Sequence, residues 1–219
     1  MLTLGALVTV AGLIAAFIVG PGNRVGLGST ELTTETAAMG TPTSALNLVG
    51  PTLYLTATAD EGDVFVGVGH EMDVDAYLAG FAHDRVVADG GPPLEPITGD
   101  ADFPWQPALE PVDGPAEPPS ATPDSRDWWV TSASGAGEQT VSVELGDVPL
   151  RAVVMRPDGT APVAVAVEFE LEIDNLFSTA LLAVGAGLGL ILLGIFTMRP
   201  RRARRAHASG RARNEAVHL

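Results

Sequence analysis

Residues 176–198 form an uncharged run of 23 residues, and Arg199, Arg201, Arg202, Arg204, Arg205, Arg211 and Arg213 crowd the 21 positions after it. As a helix rising 1.5 Å per residue, a run of that length matches the ~30 Å hydrocarbon core of a bilayer. Arginines beside a span are retained on the cytoplasmic side, so the pattern predicts both a membrane crossing and its orientation. The same arginines can hold anionic lipid headgroups at about 1 kcal/mol each. Positive-inside topology explains them better than nucleic-acid binding does.

A second uncharged run, Leu2 to Val19, is just long enough to cross at 18 residues. A cleaved secretory signal would bring a basic n-region and a small-x-small cleavage site. Here only Met1 precedes the run, and Ile18-Val19-Gly20-Pro21-Gly22 follows it. A retained anchor is therefore preferred over a cleaved signal, with both termini cytoplasmic and residues 21–174 outside. Within the runs, Gly12, Ala16 and Gly20, and likewise Gly185 and Gly189, recur at intervals of four. Such spacing gathers small residues on one helix face and permits close helix contact. Pairing of the two spans with each other is slightly preferred over dimerisation.

The segment between the anchors holds 26 of the 27 carboxylates against five arginines, a formal charge of −21. That field repels phosphates and argues against nucleic acid. With no cysteine, neither disulfides nor thiolate metal sites are available, and about 155 residues must fold around their own core. The absence of lysine suggests a genome biased toward GC-rich codons.

Periodicity in this segment is two. Val163, Val165, Val167, Phe169, Leu171 and Ile173 alternate with Ala164, Ala166, Glu168, Glu170, Glu172 and Asp174, the pattern of a strand with one buried face. Residues 140–145 alternate likewise, Gly146-Asp147 turns into residues 150–155, and Pro157-Asp158-Gly159 makes the next turn, which predicts a meander. Further strands are expected at 52–59, 64–68, 85–88 and 128–133, with a weaker one at 32–37. Seven or so short strands predict a mainly β, two-sheet sandwich. Asp73 to Ala82 interrupts it, with Val74, Tyr77, Leu78 and Phe81 at helical spacing. Residues 89–124 carry ten prolines and eight carboxylates without an arginine, which predicts an extended surface loop resisting helix and ladder alike.

The expected organisation is thus a span over 1–20, a flexible join over 21–31, the β domain over 32–174 with its acidic loop at 89–124, a span over 175–198, and a basic tail over 199–219.

Two segments carry a family resemblance: Asp63-Val64-Phe65-Val66-Gly67-Val68 leading to Val74-Asp75-Ala76-Tyr77-Leu78-Ala79-Gly80-Phe81-Ala82-His83-Asp84, and Trp129-Val130-Thr131-Ser132-Ala133-Ser134-Gly135 leading to Val153-Val154-Met155-Arg156-Pro157-Asp158-Gly159. They resemble the paired signatures of a family of uncharacterised actinobacterial membrane proteins with an N-terminal anchor, an exported domain and a C-terminal anchor. The resemblance spans nearly the whole chain and implies location and layout. It implies no activity, cofactor or catalytic residue. Where those relatives tend to show Asn-Ala-Asp-Gly, this chain has Arg156-Pro157-Asp158-Gly159.

The densest polar cluster is His70, Glu71, Asp73 and Asp75, with His83 and Asp84 beyond the expected helix. Zinc needs imidazoles and carboxylates converging on one point, and calcium needs several oxygens from a tight loop. The second histidine of a zincin helix and the glycine and distal glutamate of an EF-hand are missing. Glu71 and Asp73 are read instead as favourable charge at a helix N-terminus. Ser132 and Ser134 are ordinary strand-end hydroxyls, since no Gly-x-Ser-x-Gly elbow occurs. Glu168, Glu170 and Glu172 share one solvated strand face. Trp128 and Trp129, if extended, point to opposite faces.

The sequence therefore predicts a two-pass membrane protein with an acidic β domain that binds or assembles in the cell envelope without catalysis and without a cofactor. Its partners would be the bilayer, anionic headgroups and an envelope or membrane protein. The rivals are an envelope hydrolase with a metal near His70 and His83, and an accessory subunit acting through its spans on a transporter or channel.

Overall fold

The structure is a computed structural model and describes residues 2–42, 45, 46, 48–88, 107–115, 117 and 119–198. In chain order the elements are α1 (Leu2–Val19), β1 (Arg24–Thr34), β2 (Ala38–Gly40), β3 (Thr52–His70), α2 (Glu71–Leu78), β4 (His83–Ala88), β5 (Pro107–Val112), β6 (Trp129–Glu144), β7 (Leu150–Met155), β8 (Val163–Glu172) and α3 (Leu176–Met198), with a short 3-10 turn at Pro123–Ser125. The described chain forms two compact units: Val19–Leu176 is one, and residues 2–18 with 177–198 make the other.

The β unit is organised by β3, whose 19 residues include both the 52–59 and the 64–68 strands expected from the pattern. Exposed residues 60–63 mark a bend, where Gly62 takes a φ of +79° that favours glycine. The ladder to β6 slips between Thr58 and Asp63 at the same place. Such a bulge bends and twists a strand pair, so the β3–β6 ribbon has two arms. The first arm continues through β8 to β1, and the second through β7, β2 and β4 to β5.

Hydrogen bonds thus run unbroken through one eight-stranded sheet, which corrects the expected pair of separate sheets. The meander is corrected as well. β6, β7 and β8 do not pair with one another, and each lies instead against β3.

Alternation still decides which side chains are inside. Val163, Val165, Val167, Phe169 and Leu171 are all buried and join Leu53, Leu55 and Ala57 of the first arm and Val66, Val68 and Val154 of the second in one core. Ile173 lies past the end of β8 and is exposed. The six residues of β7 are buried on both faces: Leu150, Ala152 and Val154 face this core, while Val153 and Met155 face a second one. That second core is closed by Val74, Tyr77 and Leu78 of α2 with Phe81, the helical spacing read from the sequence. Each such side chain stabilises the fold by about 1.5–3 kcal/mol when buried.

Two expected irregular segments prove to be strands. The join over 21–31 is largely β1, paired with β8 from Arg24 onward and pinned where the Arg24 guanidinium lies 3.7 Å over the Tyr54 ring and within 3.3 Å of Glu172. Part of the 89–124 loop is β5, paired with β4 in the register His83↔Val112 to Ala88↔Pro107. Its prolines are tolerated because β5 is an edge strand among the described residues, with one side free of ladder bonds there. Residues 89–106, including Phe103-Pro104-Trp105, lie outside the described residues.

In the other unit α1 and α3 run antiparallel and pack backbone to backbone. A Cβ added at Gly5 would stand 2.8 Å from the Gly187 carbonyl oxygen, and one at Gly12 would stand 2.9 Å from that of Ala180. Within this unit the buried positions among the described residues are Gly5 and Gly12 on α1 and Ala180, Gly187 and Gly194 on α3, a spacing of seven. Of the residues expected at intervals of four, Gly12 lies in this seam, whereas Gly20, Gly185 and Gly189 have nothing within 4 Å of an added Cβ among the described residues. A seven-residue repeat keeps one seam facing the partner along the whole helix, whereas a four-residue repeat drifts off it.

Candidate functional site

Polar residues that the core has enclosed lie along β4 and β7. Arg151 points from β7 toward α2 with only 5% of its surface exposed. Its Nε donates to the Thr41 carbonyl at 2.7 Å, and its Nη1 pairs with the Asp75 carboxylate on α2. Thr41 completes the clasp: its Oγ1 accepts from the Ala152 amide at 3.0 Å, and its own amide donates to the Ala152 carbonyl at 2.9 Å. A buried guanidinium is tolerated only when paired and hydrogen-bonded, so Asp75 fixes α2 on the sheet.

On β4, separated from β7 by β2, consecutive residues point to opposite faces. Asp84 accepts a hydrogen bond from the Thr34 hydroxyl of β1 at 2.5 Å, and so links strands of the two arms. His83 points the other way, where its ring meets Phe81, three residues beyond α2, edge-on at 6.2 Å and its Nδ1–H donates to the Phe81 carbonyl at 3.2 Å. Burial lowers the imidazole's affinity for a proton, and the nearby Arg151 and Arg85 charges add to this against the opposing effects of the Phe81 bond and Asp84.

The six residues weighed as metal ligands are therefore not brought together. His70 and Asp73 are exposed near the start of α2, Glu71 is half-buried beside them, Asp75 is committed to Arg151, Asp84 to Thr34, and His83 to Phe81. Among the described residues, no three of His, Cys, Asp and Glu are grouped to hold an ion.

An aromatic platform covers the second core. Trp128 and Trp129 stack at 4.1 Å, Trp129 meets Phe65 at 5.1 Å, and Tyr77 meets Trp128 at 6.0 Å. Both indoles lie on the helix side, which corrects their expected opposite orientation. Trp128 precedes β6, and the ladder slips between Val68↔Thr131 and Gly69↔Trp129, so the residue gained at Val130 turns Trp129 to that face. Glycine makes room: a Cβ at Gly69 would fall 2.7 Å from the Trp128 ring, and one at Gly67 would fall 2.9 Å from Trp129. Tyr77 donates to the Ala121 carbonyl at 3.0 Å, Trp129 Nε1 donates to Pro123 at 3.0 Å, and burial pushes the Tyr77 phenol up to about 12. These bonds tie residues 121–123 down over α2.

Ser134 donates to Asp124 at 3.1 Å. In the 157–159 turn, Asp158 accepts from both the amide and the hydroxyl of Thr160, which holds its carboxyl below the usual range. The arginines of the tail lie outside the described residues.

Sequence reasoning missed Arg151, Thr41 and Thr34, because one arginine and one threonine within strands and one threonine just after a strand carry no spacing signal. The helix seam did leave one, in the repeats at 5 and 12 and at 180, 187 and 194.

Comparison with known proteins adds no family: no family model matches the chain, and no curated protein matches it. Among solved structures there is a similarity to the D1-D2-D3 domains of the flagellar cap protein FliD of Escherichia coli, at 9% identity over 92% of this chain and 71% of that one, with a TM-score of 0.16. A score that low establishes no shared fold.

Proposed function

We propose that the chain is a two-pass protein of an actinobacterial plasma membrane, with both termini cytoplasmic and residues 21–174 displayed on the outer face as a binding or assembly module of the cell envelope. The observation that carries this reading is the helix pair. α1 and α3 are uncharged, have mean hydropathies of 2.5 and 2.3 over their most apolar stretches, and are long enough to cross a bilayer. Phe17, Leu182 and Phe196 lie on their outer surfaces, exposed as a lipid-facing side chain would be. The β unit carries nearly all the acid, and the arginine tail gives the orientation. Protease added to intact spheroplasts should digest the acidic unit and spare the basic tail. Digestion of the tail with the acidic unit spared would overturn the reading.

A second reading, accessory subunit of a membrane transporter or channel, is favoured by one feature. Gly185 and Gly189 are open on α3. Small residues on a free face permit another span to approach closely. Gly185→Leu with Gly189→Leu should then abolish co-purification of that partner, and unchanged recovery would remove the idea.

A further inference from the structure

Among the described residues the sheet has three free edges, on β1, β5 and β6. An unpaired edge presents a row of N–H and C=O groups to any extended chain, and folded proteins ordinarily blunt it with proline, bulges, charge or short length. β5 is six residues long and carries Pro107 and Pro111. β1 is interrupted by a bulge between Gly26 and Gly28, and its one cation lies on Tyr54. β6 is different. It runs for 16 residues, pairs only with β3 among the described residues, and contains neither proline nor cation; its ladder slips at Val130 and Gly137, which leaves regular stretches at 131–136 and 138–144.

The surroundings of β6 are acidic. Glu138 and Glu144 lie on the strand and are exposed, and Asp124 and Asp127 precede it. The exposed acids of the β3 bend, Asp60, Glu61 and Asp63, fall between the rungs Thr58↔Glu138 and Asp63↔Ala136, alongside the middle of β6. Two arginines offset part of this charge, Arg156 beside Asp158 with its guanidinium against the bend at Gly62, and Arg126 between Asp124 and Asp127, 5.6 Å over the Tyr77 ring, and the acids still outnumber them.

We propose that the free edge of β6 takes an added strand from a partner protein, an extended segment carrying lysine or arginine at alternate positions. Main-chain hydrogen bonds would give affinity and the acidic flank would select charge. A second copy of this chain fits poorly, because its β6 supplies no lysine or arginine and the pairing would bring together two units each carrying −21.

This inference rests on the reading of the β unit as a binding module, and its test is independent of sidedness. The full chain in zwitterionic micelles would be titrated with a synthetic peptide of about nine alternating lysine and valine residues, following amide exchange across residues 129–144 by mass spectrometry. The expected result is at least about tenfold slower exchange in β6 at saturation. Binding should weaken about tenfold in Glu138→Lys with Glu144→Lys. A glutamate–valine peptide should not bind, nor should the lysine peptide N-methylated at two adjacent central residues, which removes a donor from each of its edges.

Equal binding of the methylated peptide, or no protection of β6, would overturn strand addition. Equal binding of the glutamate peptide would overturn the selection by charge. Protection that grows with protein concentration alone would assign the edge to a second copy. Any of these results would leave membrane display standing, and the spheroplast digestion would decide that separately.

Discussion

The two units are held together by opposite means. Between α1 and α3 the contact is made where side chains are missing, at Gly5, Gly12 and Gly187, so that backbone touches backbone. In the β unit the contact is made where side chains are largest, with Phe65, Phe81, Leu53 and Leu55 fully enclosed. On the proposed membrane reading, a bilayer offers no hydrophobic reward for bringing two apolar helices together, which leaves close packing as the main attraction. Water does offer that reward, and the β unit takes it through volume. The same glycine is therefore indispensable in one unit and costly in the other, except where an indole must sit on the sheet.

The sharpest way to break this contrast is to add side chain to the seam. In Gly187→Leu the Cβ would stand 2.6 Å from the Thr9 amide nitrogen and 2.8 Å from the Gly5 carbonyl oxygen, so the helices must part. Cysteines at positions 2 and 194, which meet in the wild-type seam, should cross-link by oxidation in the parent and fail to do so in this variant. Next in size is removal of side chain from the β unit. Phe65→Ala should lower the unfolding free energy by about 3–5 kcal/mol, measured by tryptophan fluorescence in denaturant. Asp75→Asn leaves the Arg151 charge enclosed without its counter-ion, and a smaller loss of about 1–3 kcal/mol is expected by the same measurement.

Smaller again is the effect of pH. Burial disfavours the charged His83 imidazole, so between its lowered folded value and 6.5 the unfolded chain binds more protons than the folded one. The stability from His83 is therefore complete above pH 6.5 and is lost as pH falls through that window. The denaturation midpoint should drop further between pH 7.5 and pH 5 in the parent than in His83→Gln, and equal drops would show that His83 does not titrate differently in the fold. The smallest expected effect is that of Gly185→Leu. It adds the same side chain to the same helix on an open face and should leave the 2–194 cross-link intact.

Much of this was legible because burial follows local period. The alternation of β8 names its buried face, and Val74, Tyr77, Leu78 and Phe81 name the inward face of α2 and its exit. What period cannot name is the neighbour, since any strand with one apolar face satisfies the pattern against several partners. Residues 140–173 read as a meander for that reason, although all three of their strands lie on β3. Bulges are silent too: one residue gained at Val130 turned Trp129 over, and nothing in Trp128-Trp129-Val130 announces it. β5 was hidden because proline excludes a central strand and only an edge accepts it. The polar clasp of Arg151, Thr41 and Asp75 was illegible for a related cause, since its members are 110 and 76 positions apart and meet only after the sheet has formed.

The central claim is that the acidic unit and the arginine tail lie on opposite sides of a membrane. Because the chain contains no cysteine, one introduced at exposed Asp147 or at Ser209 of the tail would be its only thiol. In intact cells a membrane-impermeant maleimide should label Asp147→Cys at once and Ser209→Cys only after permeabilisation. Labelling of Ser209→Cys in intact cells, with Asp147→Cys protected, would contradict the account.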